Sequence, residues 1–330
     1  MGSLELVCPA GSPAMLRAAV EAGADSVYCG LRDETNARNF PGLNFSPAEL
    51  AEAVAWSRAR GARVLVAVNT FARAGEVAAW RAAVDAAAKA GADAIIAADL
   101  AVLAYAHETH PETRLHLSVQ AAANSAEAIG FYAQAYGVKR VVLPRVLSAP
   151  EIKALVREIP VEVEAFVFGG LCVMAEGRCA LSSYATGRSP NLSGVCSPPE
   201  AVEFDRAGAT LTPRLAGLAI DRLGADEPAG YPTLCKGRFE MGGVAGYHFE
   251  EPVSLNAMSL LAALGAAGVK AVKIEGRQRG KAYVARVTAA FRAAIDAMDR
   301  GESTEPYERL LSDLAEGGRE TAGAYRKTWR

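Results

Sequence analysis

One pattern of apolar and polar positions repeats along the chain. A helical stretch ends at a glycine, one or two small or charged residues follow, and an apolar run then begins. The glycines in question are Gly23, Gly61, Gly91, Gly137 and Gly268. Glycine is favoured just beyond a helix end because it enters the left-handed backbone region without a Cβ clash. Apolar, β-branched runs that follow directly are typical of buried strands. The repeat therefore predicts alternating helices and strands.

Eight apolar runs have the character of buried strands. They occupy residues 4–8, 26–29, 64–68, 94–96, 115–119, 140–143, 161–168 and 271–274. Alternation of strands with Ala-rich helices predicts an α/β protein with a parallel sheet, and eight units favour a closed (β/α)8 barrel of the TIM type. An open doubly wound sheet is the alternative. Its dinucleotide-binding version is weakened because no Gly-x-Gly-x-x-Gly turn follows the first strand.

The composition changes between the seventh and eighth predicted strands. Residues 171–251 are rich in Gly, Ser and Pro, show few helical periods, and contain four of the six cysteines. We therefore assign residues 1–170 and 252–300 to the barrel and residues 171–251 to a Cys-bearing insertion. Residues 254–267 are predicted as a helix leading into the last strand, and residues 282–299 as an amphipathic helix that closes the barrel. Residues 301–330 are expected to form a tail that packs loosely on the outside.

Composition and charge narrow the class of protein. The 330 residues are 51% hydrophobic with a net charge of −2, which excludes a disordered chain and the strong basic field of a non-specific nucleic-acid binder. The longest apolar run, residues 257–269, is shorter than a membrane-crossing helix. No charged-then-apolar leader opens the chain, and six cysteines in so long a sequence do not form a disulfide scaffold. These features predict a cytoplasmic globular protein.

Four cysteines in the insertion are the strongest chemical signal. Cys172, Cys179, Cys196 and Cys235 have six, sixteen and thirty-eight residues between them. Four thiolates suit a tetrahedral zinc ion or an iron–sulfur cluster. Zinc ribbons usually pair their ligands through short knuckles, which are absent here, so the spacing modestly favours iron and sulfur. Four separate buried thiols are the alternative, and this is the role expected of the two remaining cysteines, at the ends of the first two strands.

Several segments resemble peptidase family U-32, the collagenase-like proteins. The segments EAFVFGGLC at 164–172 and GRCALS at 177–182 resemble its signature, with Gly170 where Ser or Ala is usual. Further matching segments are LVCPAG at 6–11, YPTLCKGR at 231–238 and KIEGR at 273–277. Within the family, DETNARNF at 33–40 and VLPRVLS at 142–148 are most similar to the ubiquinone-biosynthesis branch, the UbiU-like proteins.

The resemblance implies a cofactor, partners and an activity. UbiU-like proteins carry a [4Fe–4S] cluster on cysteines that match Cys172, Cys179, Cys196 and Cys235. They act with a paralogous UbiV partner, as a heterodimer, and with the lipid-binding accessory protein UbiT in oxygen-independent hydroxylation of ubiquinone precursors. Prephenate is implicated as the hydroxyl donor there and in related RNA-hydroxylating members. The family label does not by itself establish proteolysis.

Polar side chains end several of the predicted strands. Strand alternation places His116, Ser118 and Gln120 on one face, and Lys273, Glu275 and Arg277 on one face of the last strand. The polar residues at the strand ends are expected to converge on the carboxyl-end rim, where barrel enzymes place their chemistry; they are Asn69, Asp99, Gln120, Arg145, Glu275 and Arg277. We predict catalytic roles for this set apart from Asp99, with Arg145 and Arg277 holding the carboxylates of an anionic substrate. The alternative is that some members form buried salt bridges or cap helices.

Three other functions remain open from the sequence. A zinc or nucleophile-dependent peptidase would need a His-Glu-x-x-His helix or a nucleophile beside a histidine, and only His116 lies at a plausible position. An RNA-modifying relative should show a basic stripe with exposed aromatic residues, which the acidic balance argues against. A non-catalytic scaffold whose cluster only stabilises the insertion is the third.

Overall fold

A computed structural model gives the structure of the protein. It describes residues 3–174, 176, 179–190, 195–227, 229–315 and 319–326. Gly177 and Arg178 of the signature segment and the last four residues of the tail lie outside this part. Within the described ranges, no helix is both long enough and apolar enough to cross a membrane.

Eight parallel strands close into a barrel. They are β1 (Glu5–Pro9), β2 (Ser26–Gly30), β3 (Arg63–Val68), β4 (Ala94–Ala97), β5 (Leu115–Leu117), β6 (Arg140–Val142), β7 (Glu162–Gly170) and β14 (Ala271–Ile274). Each strand pairs in parallel with the next, and β14 pairs with both β7 and β1, which closes the ring. The predicted TIM-like (β/α)8 barrel is confirmed, and the open sheet is excluded.

Helices cover the outside of the barrel between the strands. They are α1 (Pro13–Glu21), α2 (Pro47–Arg58), α3 (Ala78–Lys89), α4 (Leu100–Thr109), α5 (Ala126–Tyr136), α6 (Ala149–Glu158), α8 (Leu261–Ala267) and α9 (Lys281–Asp299). Capping boxes begin α2 and α6, where Ser46 and Ser148 exchange hydrogen bonds with the glutamate three residues on. The predicted closing helix is confirmed as α9.

The insertion follows β7 and returns before β14. It contains α7 (Ala180–Thr186), a three-stranded antiparallel sheet of β8 (Val202–Ala207), β9 (Thr210–Leu215) and β10 (Leu218–Ala219), and a hairpin of β11 (Phe239–Met241) and β12 (Val244–Gly246). All four insertion cysteines lie in this stretch. Cys8 and Cys29 are fully buried in the barrel core, as expected.

Two sequence expectations about the barrel's edge were wrong. Residues 254–256 begin no helix but form β13 (Ser254–Asn256), which pairs antiparallel with β7. The tail is also not loosely packed, because β15 (Glu320–Thr321) pairs with β13 and Tyr325 donates a 2.5 Å hydrogen bond to the Phe166 carbonyl. Both have one physical origin: β7 is longer than its neighbours, its exposed edge pairs with β13, and the other edge of β13 then pairs with β15.

A charged network fills the barrel interior below the mouth. The fully buried Glu164 on β7 accepts from Lys273 Nζ on β14 (2.6 Å) and from Arg140 Nη1 on β6 (3.2 Å). Arg140 also contacts Glu5 on β1 at 2.6 Å. His116 on β5 is buried against this network. The interior is therefore polar at a level that TIM barrels usually fill with branched apolar side chains.

Candidate active site at the barrel mouth

A pocket opens at the carboxyl ends of the barrel strands. The space free of protein atoms is about 550 Å³, including the part open to solvent. It brings together five of the predicted rim residues: Asn69, Gln120, Arg145, Glu275 and Arg277. Its apolar wall consists of Tyr28, Ala37, Ala67, Ile96, Val119, Val142 and Phe166. Charged and apolar surfaces thus meet in one cavity, as in many small-molecule sites.

Asp99 has a different place from the other predicted rim residues. Its Oδ1 accepts hydrogen bonds from the Ala101 and Val102 amides at the start of α4, and its Oδ2 accepts from the Ala72 amide. It does not line the pocket. The helix-capping alternative therefore holds for Asp99.

Glu275 lies at the centre of the charged wall. Its carboxylate contacts Arg38 Nη2 at 3.0 Å and Arg145 Nη2 at 3.4 Å, and it accepts from the Gly170 amide at 3.0 Å. Burial acts to raise the pKa of Glu275, but the charges of Arg145 and Arg38 outweigh it and lower that pKa to about 2. Glu275 is therefore ionised at neutral pH and binds the two arginines to the strand end.

Arg145 is engaged within the protein. Its Nη1 lies 2.5 Å from Glu176, its Nη2 contacts Glu275, and its guanidinium stacks 3.6 Å above the Phe166 ring. Two carboxylates thus neutralise this cation before any substrate arrives. The sequence predicted that Arg145 and Arg277 together bind the carboxylates of a substrate. Arg145, however, is already paired with carboxylates of the protein.

Arg277 is the contrasting cation. It is only 5% exposed, and the described residues give its guanidinium one hydrogen bond, from Nη1 to Asn36 Oδ1 at 3.2 Å, and no ion pair. Its guanidinium carbon lies 5.6 Å from the centre of the Tyr28 ring. Burial lowers the pKa of Arg277, to about 10, against the opposing effect of Tyr28.

The loop after β2 forms one side of the mouth, and Asn69 fixes it there. Asn69 Oδ1 accepts from the Ala37 amide (3.0 Å), and its Nδ2 donates to Ser118 Oγ (3.1 Å). Both ends of this amide are engaged, so the geometry gives Asn69 a positioning role. Asn44 serves its own loop by donating to the Arg38 carbonyl, whereas the Arg38 side chain reaches the pocket.

Sequence reasoning missed Tyr28 and Glu176 as pocket residues, whereas Lys273 lines the pocket on the face that it was expected to share with Glu275 and Arg277. Lys273 Nζ lies 3.9 Å from the centre of the Tyr28 ring, and the Tyr28 hydroxyl donates to the Ile274 carbonyl. Alternation along β2 places Tyr28 on the same face as Ser26, a signal that could have found it. Glu176 comes from the insertion, where no periodicity predicts which way a side chain faces.

Two glycines permit the close approaches that build the site. A Cβ atom on Gly11 would lie 2.0 Å from the Arg277 carbonyl oxygen, so the loop after β1 can pass the last strand end only without a side chain. Gly169 has a φ of +124°, and a Cβ there would lie 2.6 Å from Glu275 Cβ. Glycine at both positions keeps Glu275 and Arg277 at the mouth.

The four insertion cysteines share one region beside this pocket. Burial raises the pKa of Cys235 to about 12, and the charges of Cys196, Cys172 and Cys179 add to that effect. Burial likewise raises the pKa of Cys172 to about 11. The charge of Glu176 also raises this pKa, and the charge of Arg145 lowers it. The charges of Arg38 and Glu275 act on Cys196. The thiols are thus electrostatic neighbours of one another and of the pocket's charged wall.

These thiols do not converge on one small ion. In the described ranges, no three His, Cys, Asp or Glu side chains are arranged to hold a single metal ion. A single zinc ion would need its sulfur ligands about 2.3 Å from one common centre, and the described cysteines are not arranged in that way. Their role as cluster ligands stays a prediction.

Fold and site together define a class: a TIM-barrel protein whose mouth is bordered by a cysteine-bearing insertion. Residues 11–325 match the family model described as peptidase family U32, and the chain belongs to that family.

Three relatives illustrate the range of proteins that this chain is similar to. It is 31% identical to a collagenase of Porphyromonas gingivalis, over 92% of this chain and 68% of that protein. It is 31% identical to tRNA hydroxylation protein P of Escherichia coli, over 95% of this chain and 72% of the relative. It is 30% identical to the 23S rRNA 5-hydroxycytidine C2501 synthase of E. coli, over 91% of this chain but 40% of that protein.

Proposed function

We propose that the protein is the iron–sulfur subunit of an oxygen-independent hydroxylase. The observation that carries this proposal is the contact between the barrel and the insertion, where Arg145 Nη1 lies 2.5 Å from Glu176. Arg38 and Arg145 bind Glu275 in the pocket wall, and the same arginines act electrostatically on Cys196 and Cys172. Relatives named for tRNA and rRNA hydroxylation support the reaction class.

The residues present fit a [4Fe–4S] cluster. Four thiols and no histidine form the donor set, and they act on one another's pKa without forming a single-ion site. Burial raises the pKa of Cys172, Cys196 and Cys235, and a cationic metal core would stabilise the thiolate form of buried cysteines. Cys172, Cys179, Cys196 and Cys235 would hold the cluster, which supplies electron transfer when bound.

The barrel residues have separate tasks in this proposal. The apolar wall receives the ring of a small organic acid and excludes water from it. Glu275 holds Arg38 and Arg145 in place, and Asn69 holds the loop that carries Arg38. Gln120, Arg145, Glu275 and Arg277 surround the position where the donor would react.

We infer a ubiquinone precursor as the acceptor, with prephenate as the donor. The support is the resemblance of residues 33–40 and 142–148 to the UbiU-like branch, together with a net charge of −2 that does not favour a polyanionic substrate. That resemblance also supports a UbiV-like paralogue as heterodimer partner, a UbiT-like lipid-binding accessory protein and a cytoplasmic location.

RNA hydroxylation is the second candidate, and the names of the relatives favour it. A U-32 peptidase is the weaker third, despite the relative named collagenase. Among the described residues that line the pocket there is no histidine to activate a nucleophile or a water.

The test begins with anoxic purification and counts of iron and sulfide, with absorption and electron paramagnetic resonance spectra. Reconstituted protein is then incubated with prephenate and the paralogue, and with either a dehydroxylated quinone precursor or unmodified tRNA. We expect about four irons per chain and hydroxylated quinone. If tRNA alone is hydroxylated, RNA and not a quinone precursor is the acceptor. Protein that contains no iron after anoxic purification would overturn the proposal.

A further inference from the structure

Among the described residues, four cations line the pocket, and three of them already have a carboxylate partner. Arg38 contacts Glu275 at 3.0 Å, Arg145 contacts Glu176 at 2.5 Å, and Lys273 contacts Glu164 at 2.6 Å. Arg277 is the fourth. Within the part of the chain that the structure describes, no carboxylate forms an ion pair with it.

An isolated buried cation is costly, because water is removed from the charge without an ion to replace it. Arg277 is 95% buried by the protein, yet its guanidinium lines the pocket and receives one neutral hydrogen-bond partner. The lowered pKa of this group has burial as its main cause. A bound anion would supply the missing partner, and a carboxylate matches the planar fork of a guanidinium.

The surroundings of Arg277 narrow the anion to one class. Tyr28 and Phe166 present aromatic rings to the cavity, and Ile96, Val119 and Val142 complete an apolar wall. A carboxylate at Arg277 with a six-membered ring against this wall uses both surfaces. Inorganic phosphate would leave the apolar wall without a partner.

We propose that Arg277 alone anchors the carboxylate of a ring-bearing organic acid, while Arg38 and Arg145 remain paired with Glu275. This deepens the proposed function, on which it rests for the biological role of the acid. It differs from the arrangement expected from the sequence, in which Arg145 and Arg277 shared the substrate.

The experiment measures binding to the anoxic holoprotein by calorimetry, with phenylpyruvate and its neutral methyl ester as probes. Replacing the carboxylate by the ester should weaken binding to the wild type by about 30-fold or more, as expected for a buried charge pair that loses one partner. Arg277→Met should weaken phenylpyruvate binding by a similar factor and should bind acid and ester alike. Arg277→Lys should retain part of the preference for the acid.

Arg279→Met is the matched control. Arg279 is exposed, two residues further along, and lies 5.4 Å from the Tyr283 ring, so it resembles Arg277 in type and neighbour but not in burial. It should bind both probes as the wild type does, and visible absorbance should show an intact cluster in every variant.

Two results would refute the proposed role of Arg277 as the carboxylate anchor. One is a wild type that binds acid and ester equally, and the other is a preference for the acid that persists in Arg277→Met. The wild-type comparison needs no variant, so poor folding of Arg277→Met does not protect the proposal. Binding through Arg277 without hydroxylation of quinone precursor or tRNA would refute the proposed function and leave the anchor standing.

Discussion

The charged network inside the barrel makes Glu164 the residue whose neutralisation should cost most. Glu164 is fully buried and contacts two cations, Lys273 at 2.6 Å and Arg140 at 3.2 Å. Glu164→Gln keeps the shape of the side chain but removes the negative charge. Arg140 retains Glu5 and Glu162 as partners. Lys273 has no other carboxylate among its described ion pairs, so the substitution leaves the lysine without a counter-ion.

The size of the effect follows from how Lys273 can respond. Burial lowers the pKa of Lys273 below its ordinary value of 10.5, and the charge and hydrogen bond of Glu164 oppose this effect only in part. Without Glu164 the amine should be neutral in the folded state. Deprotonation of a group with an ordinary pKa of 10.5 at pH 7.5 costs about 4 kcal/mol. Direct loss of a buried partner gives a similar range, about 3–5 kcal/mol.

Neutralisation of the lysine has a pH signature with a definite sign. In Glu164→Gln the unfolded chain would bind a proton at Lys273 that the folded chain does not. Stability should then rise with pH above neutrality, by up to about 1.4 kcal/mol per pH unit, and level off near pH 10.5. The wild type should show a smaller slope, because Glu164 opposes part of the effect of burial on the Lys273 pKa.

Anoxic urea unfolding at pH 7, 8 and 9 measures both the loss and the slope. Glu162→Gln is the control, since its carboxylate contacts the same Arg140 but is 38% exposed, and it should lose at most about 1 kcal/mol. Glu164→Gln with Lys273→Met should recover part of the stability and lose the slope. The reasoning is refuted if Glu164→Gln alone loses less than about 1 kcal/mol or shows no added slope.

Three further changes test other parts of the structure. Burial and two neighbouring arginines hold the pKa of His116 well below 6.5, so the unfolded state alone gains a proton as the pH falls. Titration of His116 should therefore lower the free energy of unfolding of the wild type by about 2 kcal/mol between neutrality and pH 5. Urea titrations of His116→Gln should not show this decrease. Cys235→Ser should lower the iron and sulfide content and the visible absorbance, whereas Cys29→Ala in the core should change neither. Gly11→Ala should weaken phenylpyruvate binding in calorimetry, because its new Cβ would lie 2.0 Å from the Arg277 carbonyl oxygen; unchanged affinity would contradict the close approach.

The barrel could be predicted from sequence because its signals are local. Each of the eight apolar runs coincides with a strand to within two residues, and left-handed glycines such as Gly137 and Gly268 end the preceding helices. Buried parallel strands need continuous apolar runs, and helix ends need residues that tolerate positive φ. Both requirements can be recognised without knowledge of the tertiary contacts.

The site was predictable in position but not in its pairing. Because Arg145, Glu275 and Arg277 follow the ends of strands, the sequence correctly predicted that they lie at the same barrel mouth. Whether each cation would meet a carboxylate depended on residues outside the strands. Glu176 lies in an aperiodic insertion, and Arg38 lies in a loop that Asn69 holds from another strand. Ion pairing at this distance in sequence has no local pattern, so two arginines that look equivalent in the chain have different partners.

The length of β7 explains both the wrong prediction for residues 254–256 and the arrangement of charged residues in the site. β6 ends beside Glu164, yet β7 continues to Gly170, and β13 pairs with the extension from Phe168 to Gly170. The same extension carries the Gly170 amide to Glu275, and Gly169 adopts the backbone conformation that makes room for it. The insertion begins one residue later, so Cys172 comes next to Arg145 without any long connection. A strand that ended with its neighbours would separate the thiols from the pocket, and the strand that the sequence did not predict is the one that supports this extension.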